Sequence, residues 1–234
     1  MKILAIGAHP DDVEFLCAGT LAKYARHGDE ISIMVATNGN VGSPTLSREE
    51  IASIRHEEAQ ASADILGAKL IWIGIDDEFV FSTRETRMQF IEGIRQADPD
   101  VMFVHSPTDY HPDHRAAGQI AIDCRIPVTV PLIETLHTHM SQVPDVYMMD
   151  TVGGLSFEPE RFVDVSDTFT IKSEMLSRHK SQAEWLKHIY GMEYVEFMSK
   201  LSQQRGQSIG VAHAEAFRRV LMYPVRNGRT TELP

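Results

Sequence analysis

The sequence predicts an α/β fold, a Rossmann-like three-layer arrangement with a mostly parallel central sheet. Three observations carry this expectation. Apolar runs of strand length alternate with amphipathic helical patterns through the first 130 residues. The strand runs are almost continuously apolar, as strands covered on both faces are. Polar clusters close two of those strands, where ligands bind in open parallel sheets.

Each element has its own signal. "KILAIGA" (2–8) is a buried strand, followed by a helix over 19–28 that ends near Gly28. "EISIMVAT" (30–37) is the second strand. The helix over 47–67 opens on Ser47 with Glu50 three residues on, the capping-box spacing. A third strand spans 69–75 and a helix 83–98; a fourth strand spans 101–107 and a helix 113–126. Beyond residue 130 the pattern loosens. "PLIETLHTHM" and "DVYMMDT" have strand character, and "SFEPERFVDVSD" reads as loop plus a short strand. Residues 167–189 and 192–206 read as helices. With no repeat or linker, one domain over 1–234 is expected, a core over 1–130 with a C-terminal elaboration over 131–234.

Composition narrows the function classes. The 234 residues are 43% hydrophobic and 24% charged, ordinary for a soluble globular protein. The net charge of −11 disfavours a nucleic-acid partner. No apolar run reaches the roughly 18 residues of a membrane span. The chain opens directly on a strand with no cleavage-site pattern, and its two cysteines, Cys17 and Cys124, form no spaced framework. A cytoplasmic setting is therefore expected.

The chemistry concentrates at two strand ends. "AHPDD" after the first strand holds His9, Asp11 and Asp12. "HSPTDYHPDH" after the fourth holds His105, Asp109, His111, Asp113 and His114. Strands one and four are neighbours across the switch point of a doubly wound sheet, so both clusters face one crevice. Imidazole with carboxylate suits zinc, and three protein ligands with an open position is the catalytic arrangement. The Pro10 turn lets His9 and Asp12 converge while Asp11 points elsewhere, and a histidine of the second loop completes the set. The glycine fingerprint of a dinucleotide cradle is absent from "GAHPDD".

"AHPDDVEFLCAGT" followed by "HPDH" resembles the PIG-L/LmbE-like superfamily of zinc-dependent N-acetylglucosaminyl deacetylases. The resemblance extends to "TNGNVG", "REEIASIRHEEAQASADILGA", "KSEMLSRHKSQ" and "HAEAFRR", nearly the whole chain. It implies one Zn2+ held by His9, Asp12 and His114, with Asp11 as general base and His111 assisting the oxyanion or leaving group. The implied reaction removes an N-acetyl group from an N-acetylglucosamine-type sugar or conjugate. An amidase cleaving a larger acyl group from a glucosamine thiol conjugate, or a non-catalytic metal-binding sugar sensor, is the alternative. A small-molecule amino-sugar partner and a homo-oligomer, trimer or hexamer, are implied as well.

Substrate contacts are assigned to Arg55, Asn38 and His213. Arg55 stands where the resemblance implies an arginine facing sugar hydroxyls; otherwise it is a helix arginine paired with Glu58. Asn38 lines the crevice or serves the "TNGN" turn. His213 stands where tyrosine is common among such proteins. Asp113 is expected to favour the helix dipole rather than to orient a ligand. His137 and His139 alternate by two and are expected on the solvent face of a strand rather than in a second metal site. Glu14 and Thr20 are read as helix-start and packing residues, and His179 as a docking residue for the C-terminal helices.

Overall fold

Alternate residues of β1 (Lys2–Gly7) enter opposite cores: Ile3 and Ala5 join one buried cluster, Leu4 and Ile6 the other. This is the period-two signature of a strand covered on both faces. A computed structural model describes residues 1–224 and 233–234 of the chain. Residues 225–232, part of the expected C-terminal region, lie outside the described residues.

The other strands are β2 (Glu30–Thr37), β3 (Lys69–Ile75), β4 (Val101–Val104), β5 (Asp145–Met149), β6 (Arg161–Asp164) and β7 (Ala214–Arg219). They form one seven-stranded sheet in the order β3-β2-β1-β4-β5-β7-β6. β3, β2, β1, β4 and β5 run parallel; β7 is antiparallel to both β5 and β6. The first face is covered by α1 (Asp12–Leu16), α2 (Ala18–His27), α3 (Arg48–Ile65), α6 (Phe169–Leu176) and α8 (Tyr194–Gln207), which contribute Phe15, Leu21, Ala63, Met175 and Met198. The second is covered by α4 (Arg84–Ala97) and α5 (Pro112–Cys124), with Phe90, Ile94, Ala117 and Ile120. The result is the expected three-layer α/β fold. Strand order reverses between β1 and β4, so their carboxyl ends open one crevice. Ser47 caps α3 in the reciprocal box with Glu50.

Four local expectations fail, each for a tertiary reason. β4 ends at Val104 rather than residue 107, because the chain turns into the site there. Residues 131–140 form no strand. Their neighbourhood is held by the Arg95 guanidinium, which donates to the carbonyls of Val128, Val130 and Ile133 and to Thr135 Oγ1. Leu132 and Leu136 stand exposed there, and His137 pairs with Glu92 at 2.6 Å, so His137 and His139 share no sheet face. The helix expected over 167–189 is two, α6 and α7 (Lys180–Tyr190), because His179 leaves helical geometry and is fully buried beside Glu14. β7 carries no strand expectation at all; only pairing with β5 and β6 defines it.

Among the described residues no helix is long and apolar enough to cross a membrane. The helix α5 lies unusually close to the end of β4, since a Cβ on Gly118 would sit 2.2 Å from the His105 carbonyl oxygen. Backbone cannot yield that distance without shifting α5. Gly118→Ala is expected to destabilise the protein by about 3 kcal/mol or more, read as a lower urea midpoint at unchanged slope.

Candidate active site

The turn after β1 sets the first half of the site. Asp12 N–H bonds the His9 carbonyl at 3.3 Å, while Asp12 Oδ2 accepts the His9 N–H at 2.6 Å. Between them Asp11 adopts φ 110°, a strained conformation for a residue with a side chain. That geometry turns Asp11 away from its neighbour. Asp12 opens α1, where its charge is favoured by the helix N-terminus.

The second half comes from the loop after β4 and the start of α5. His111 is the N-cap of α5, its Nδ1 accepting the Asp113 N–H at 3.2 Å, and Pro112 occupies the first helical turn. His114, on the first turn, points back toward β1. The atoms converge. His9 Nδ1 lies 3.1 Å from His114 Nε2 and 3.4 Å from Asp12 Oδ2; His114 Nε2 lies 3.2 Å from Asp12 Oδ1.

These separations fit a metal ion. Tetrahedral ligand atoms about 2.0–2.1 Å from zinc are roughly 3.3 Å from one another. Two imidazole nitrogens facing at 3.1 Å with a carboxylate beside both need a cation between them or a shared proton. His9 with His111 and His114, and Asp12 with His105 and His114, are further groupings of the same kind. The surroundings are strongly acidic: Asp11, Asp12, Asp77, Asp109 and Asp113 are all buried, and Arg55 is the guanidinium set against them. Burying that many carboxylates is costly without positive charge. Asp12 illustrates the balance, since burial would raise its carboxyl but His114 and His105 hold it well below the usual range. Burial would likewise lower His114, yet Asp12 and Asp109 push it up to about 9. Protons and a dication compete for the same lone pairs.

A set of carboxylates behind the imidazoles fixes their orientation. His114 Nδ1 meets Asp109 Oδ1 at 3.1 Å, and His9 Nε2 meets Asp77 Oδ1 at 3.0 Å. Asp113 does more than complement a helix dipole: it accepts the N–H groups of Glu78 and Val80 and lies 3.5 Å from His9 Nε2. Such partners hold a ligand's tautomer and direction. His105 Nε2 stands 3.0 Å from Asp12 Oδ2, its ring stacked on His114. Asp77 and the roles of Asp109 and His105 escaped sequence reasoning. For Asp77 the available signal was its place at the carboxyl end of β3.

Asp11 sits beside this centre, its Oδ2 buried with no hydrogen-bond partner and 3.6 Å from Arg55 Nη2. Burial pushes its carboxyl up to about 6, Arg55 opposing and Asp12 adding to the rise. Arg55 is buried, donates to the Pro10 carbonyl at 2.8 Å and is not engaged by Glu58, which instead accepts from Ser181. His9, Asp11, Asp12, Arg55, Asp77, His111 and His114 line a cavity of about 480 Å³, and the orienting Asp109, Asp113 and His105 stand behind it. Asn38 and His213 do not line it. Asn38 spends its amide on the turn, accepting the Asn40 N–H and approaching Asp76. The His213 ring stacks on Phe169 at 3.7 Å, because the residue stands just before β7, its carbonyl accepting the Val165 N–H beyond β6. Glu14 and His179 form a buried pair behind Asp11 at 3.3 Å, with Ser62 donating to Glu14.

With the geometry in place, comparisons with known proteins gain meaning. A family model described as PIG-L, GlcNAc-PI de-N-acetylase, matches residues 4–125. A diacetylchitobiose deacetylase of Thermococcus kodakarensis is 32% identical over 193 residues, 77% of this chain and 70% of the relative. A solved N,N'-diacetylchitobiose deacetylase of Pyrococcus horikoshii superposes with a TM-score of 0.81 at 26% identity, covering 93% of this chain and 83% of the other. A 4-carboxy-2-hydroxymuconate hydratase of Pseudomonas putida also reaches 0.81, at 22% identity over 99% of both chains, a likeness of fold alone.

Two measurements test the supporting shell. Asp77→Asn is expected to weaken metal affinity by about 10- to 100-fold with an unchanged circular dichroism spectrum, read by competition with a chelating dye. The Glu14–His179 pair has a defined pH signature. Burial would raise Glu14, but His179 and Ser62 hold it below 4.5, so its stabilisation is present above 4.5 and lost as pH falls through the depressed value. Burial would lower His179, but Glu14 holds it above 6.5, so its stabilisation is complete below 6.5 and lost as pH rises through the raised value. The Tm deficit of Glu14→Gln is therefore expected to be greatest between pH 4.5 and 6.5 and to shrink toward alkaline pH.

Proposed function

The chain belongs to the PIG-L family of de-N-acetylases, hydrolases of amide C–N bonds, and from that premise we propose that it is a zinc-dependent enzyme removing the acetyl group from an N-acetylglucosamine-type sugar or conjugate. The observation that carries the reading is the triangle of His9, Asp12 and His114 ligand atoms with, beside it, a buried Asp11 oxygen that accepts no hydrogen bond and faces Arg55 at 3.6 Å. Those three side chains would hold one zinc, which would supply Lewis acidity toward the acetyl carbonyl and a water of pKa about 7.

The protein's own residues move the protons. Asp11 accepts a proton from the attacking water as its oxygen joins the acyl carbon. It returns that proton to nitrogen as the C–N bond breaks, so acetate and a free amine leave. A carboxyl raised to about 6 by burial is ionised at neutral pH yet can hold a proton as charge shifts. His111 donates to the developing oxyanion. With Nδ1 accepting the Asp113 N–H, a neutral His111 carries its proton on Nε2. Burial first, then His9 and His114, lowers its pKa and favours that neutral form. Arg55, with Nε buried and unpartnered, offers a donor to a sugar hydroxyl. The reading includes a cytoplasmic enzyme assembled as a homo-oligomer.

Asp11→Asn is expected to retain metal and lose at least about a thousandfold in kcat, whereas His114→Ala loses the metal itself. Metal content by plasma emission spectrometry beside acetate release from N-acetylglucosamine derivatives reads both. Wild-type turnover in Asp11→Asn sinks the base assignment, and turnover undiminished by chelator sinks the metal requirement.

A further inference from the structure

The cavity has two unlike walls. Charged side chains crowd the end near the histidines, while Trp185, Leu186 and Tyr190 of α7, Met192 of the connection, and Tyr194 and Phe197 of α8 face them. Tyr194 and Phe197 have their own packing, with ring centroids 5.5 and 5.3 Å from Phe15. The α7 residues do not. No residue of α7 is buried, and Tyr190 is 68% exposed. Leu186 and Tyr190, four apart, share one helix face, and Trp185 borders it. Among the described residues neither core cluster takes up this aromatic and aliphatic surface, which lines the same cavity as the reacting centre. Gln182, the Trp185 indole N–H and the Tyr190 hydroxyl are the polar groups that α7 brings to the cavity.

We propose that Trp185, Leu186, Tyr190 and Met192 form a subsite for an apolar, aryl or alkyl, substituent on the amine half of the substrate. The assignment to that half rests on the deacetylase reading above. Tyr194, two residues past Met192 of this wall, lines the cavity together with Asp11. Asp11 is the group that returns a proton to the departing amine, so this wall adjoins the amine side. The acyl side lies toward His111, which is flanked by Glu78 and Tyr110. The substrate class is thus an N-acetylated amino sugar bearing an apolar aglycone.

The test compares kcat/KM for N-acetylglucosamine, its phenyl and octyl glycosides, N,N'-diacetylchitobiose and N-octanoylglucosamine, using the zinc-loaded full chain. The phenyl and octyl glycosides are expected to exceed the free sugar by about tenfold or more, and the disaccharide to fall below them. Trp185→Ala and, independently, the surface variant Tyr190→Ala are expected to shrink that ratio about tenfold. Equal kcat/KM for free sugar and glycosides overturns the subsite and leaves the deacetylase reading standing. So does a gain confined to N-octanoylglucosamine, which would give the wall to the acyl chain. If no substrate releases its acyl group, the deacetylase reading falls and calorimetry of phenyl glycoside binding decides the subsite. Binding lost in Trp185→Ala supports it, and absence of binding to the wild type overturns it.

Discussion

The Asp12 carboxylate is 5% exposed at the start of α1, and both of its oxygens are committed. One meets the His9 N–H and His105; the other faces His114. Desolvating a carboxylate so completely is unfavourable unless matched by positive charge and hydrogen bonds. Meeting that requirement dictates much of the surrounding structure. It brings the loop after β4 against the turn after β1, starts α5 at Pro112 so that His114 points inward, and draws α5 close enough that Gly118 has no room for a side chain. Asp109, Asp113 and Asp77 then hold the imidazoles in place, adding negative charge that the proposed metal ion would offset.

A second buried charge ties the later part of the chain to this frame. Lys172 Nζ donates to the Phe15 carbonyl and to Glu215 Oε1, while Glu215 accepts the N–H groups of Gly19 and Thr20. These backbone groups belong to the end of α1 and the first turn of α2, where helices leave donors and acceptors unpaired. The ion pair satisfies them with every polar atom used, the condition under which a buried pair is tolerable. It also fixes α6 and β7 against α1 and α2. That docking, with His179 set beside Glu14, brings α7 and α8 over the crevice and gives the cavity its apolar wall.

Fold alone does not select the reaction, since a hydratase shares this architecture at a TM-score of 0.81. The reaction has to be argued from the site itself. A buried carboxylate with a free oxygen beside three convergent ligands suits hydrolysis of an unactivated amide, where one group takes a proton from water and gives it to nitrogen. The strain of Asp11 at φ 110° is consistent with a residue held for function rather than for packing.

How much of this was legible in the sequence follows from the range of the interactions. The parallel strands, the capping box at Ser47, the β1–β4 crevice and the meeting of His9 and Asp12 with a histidine of the second loop follow from periodicity, turn chemistry and one topological rule; that the histidine is His114 was what the family resemblance implied. The break at His179, the loop held by Arg95, the strand β7 and the withdrawal of Asn38 and His213 from the cavity depend on partners distant in sequence. So do the orienting contacts of Asp77, whose side chain means nothing until β3 is placed beside β2. By itself, then, the sequence determined the layered α/β scaffold and the residues able to bind a cation, because hydrophobic period and ligand type are written along the chain. Only the tertiary structure decided which carboxylates support those ligands and which apolar residues face the reacting centre, because those choices depend on what each side chain meets after packing.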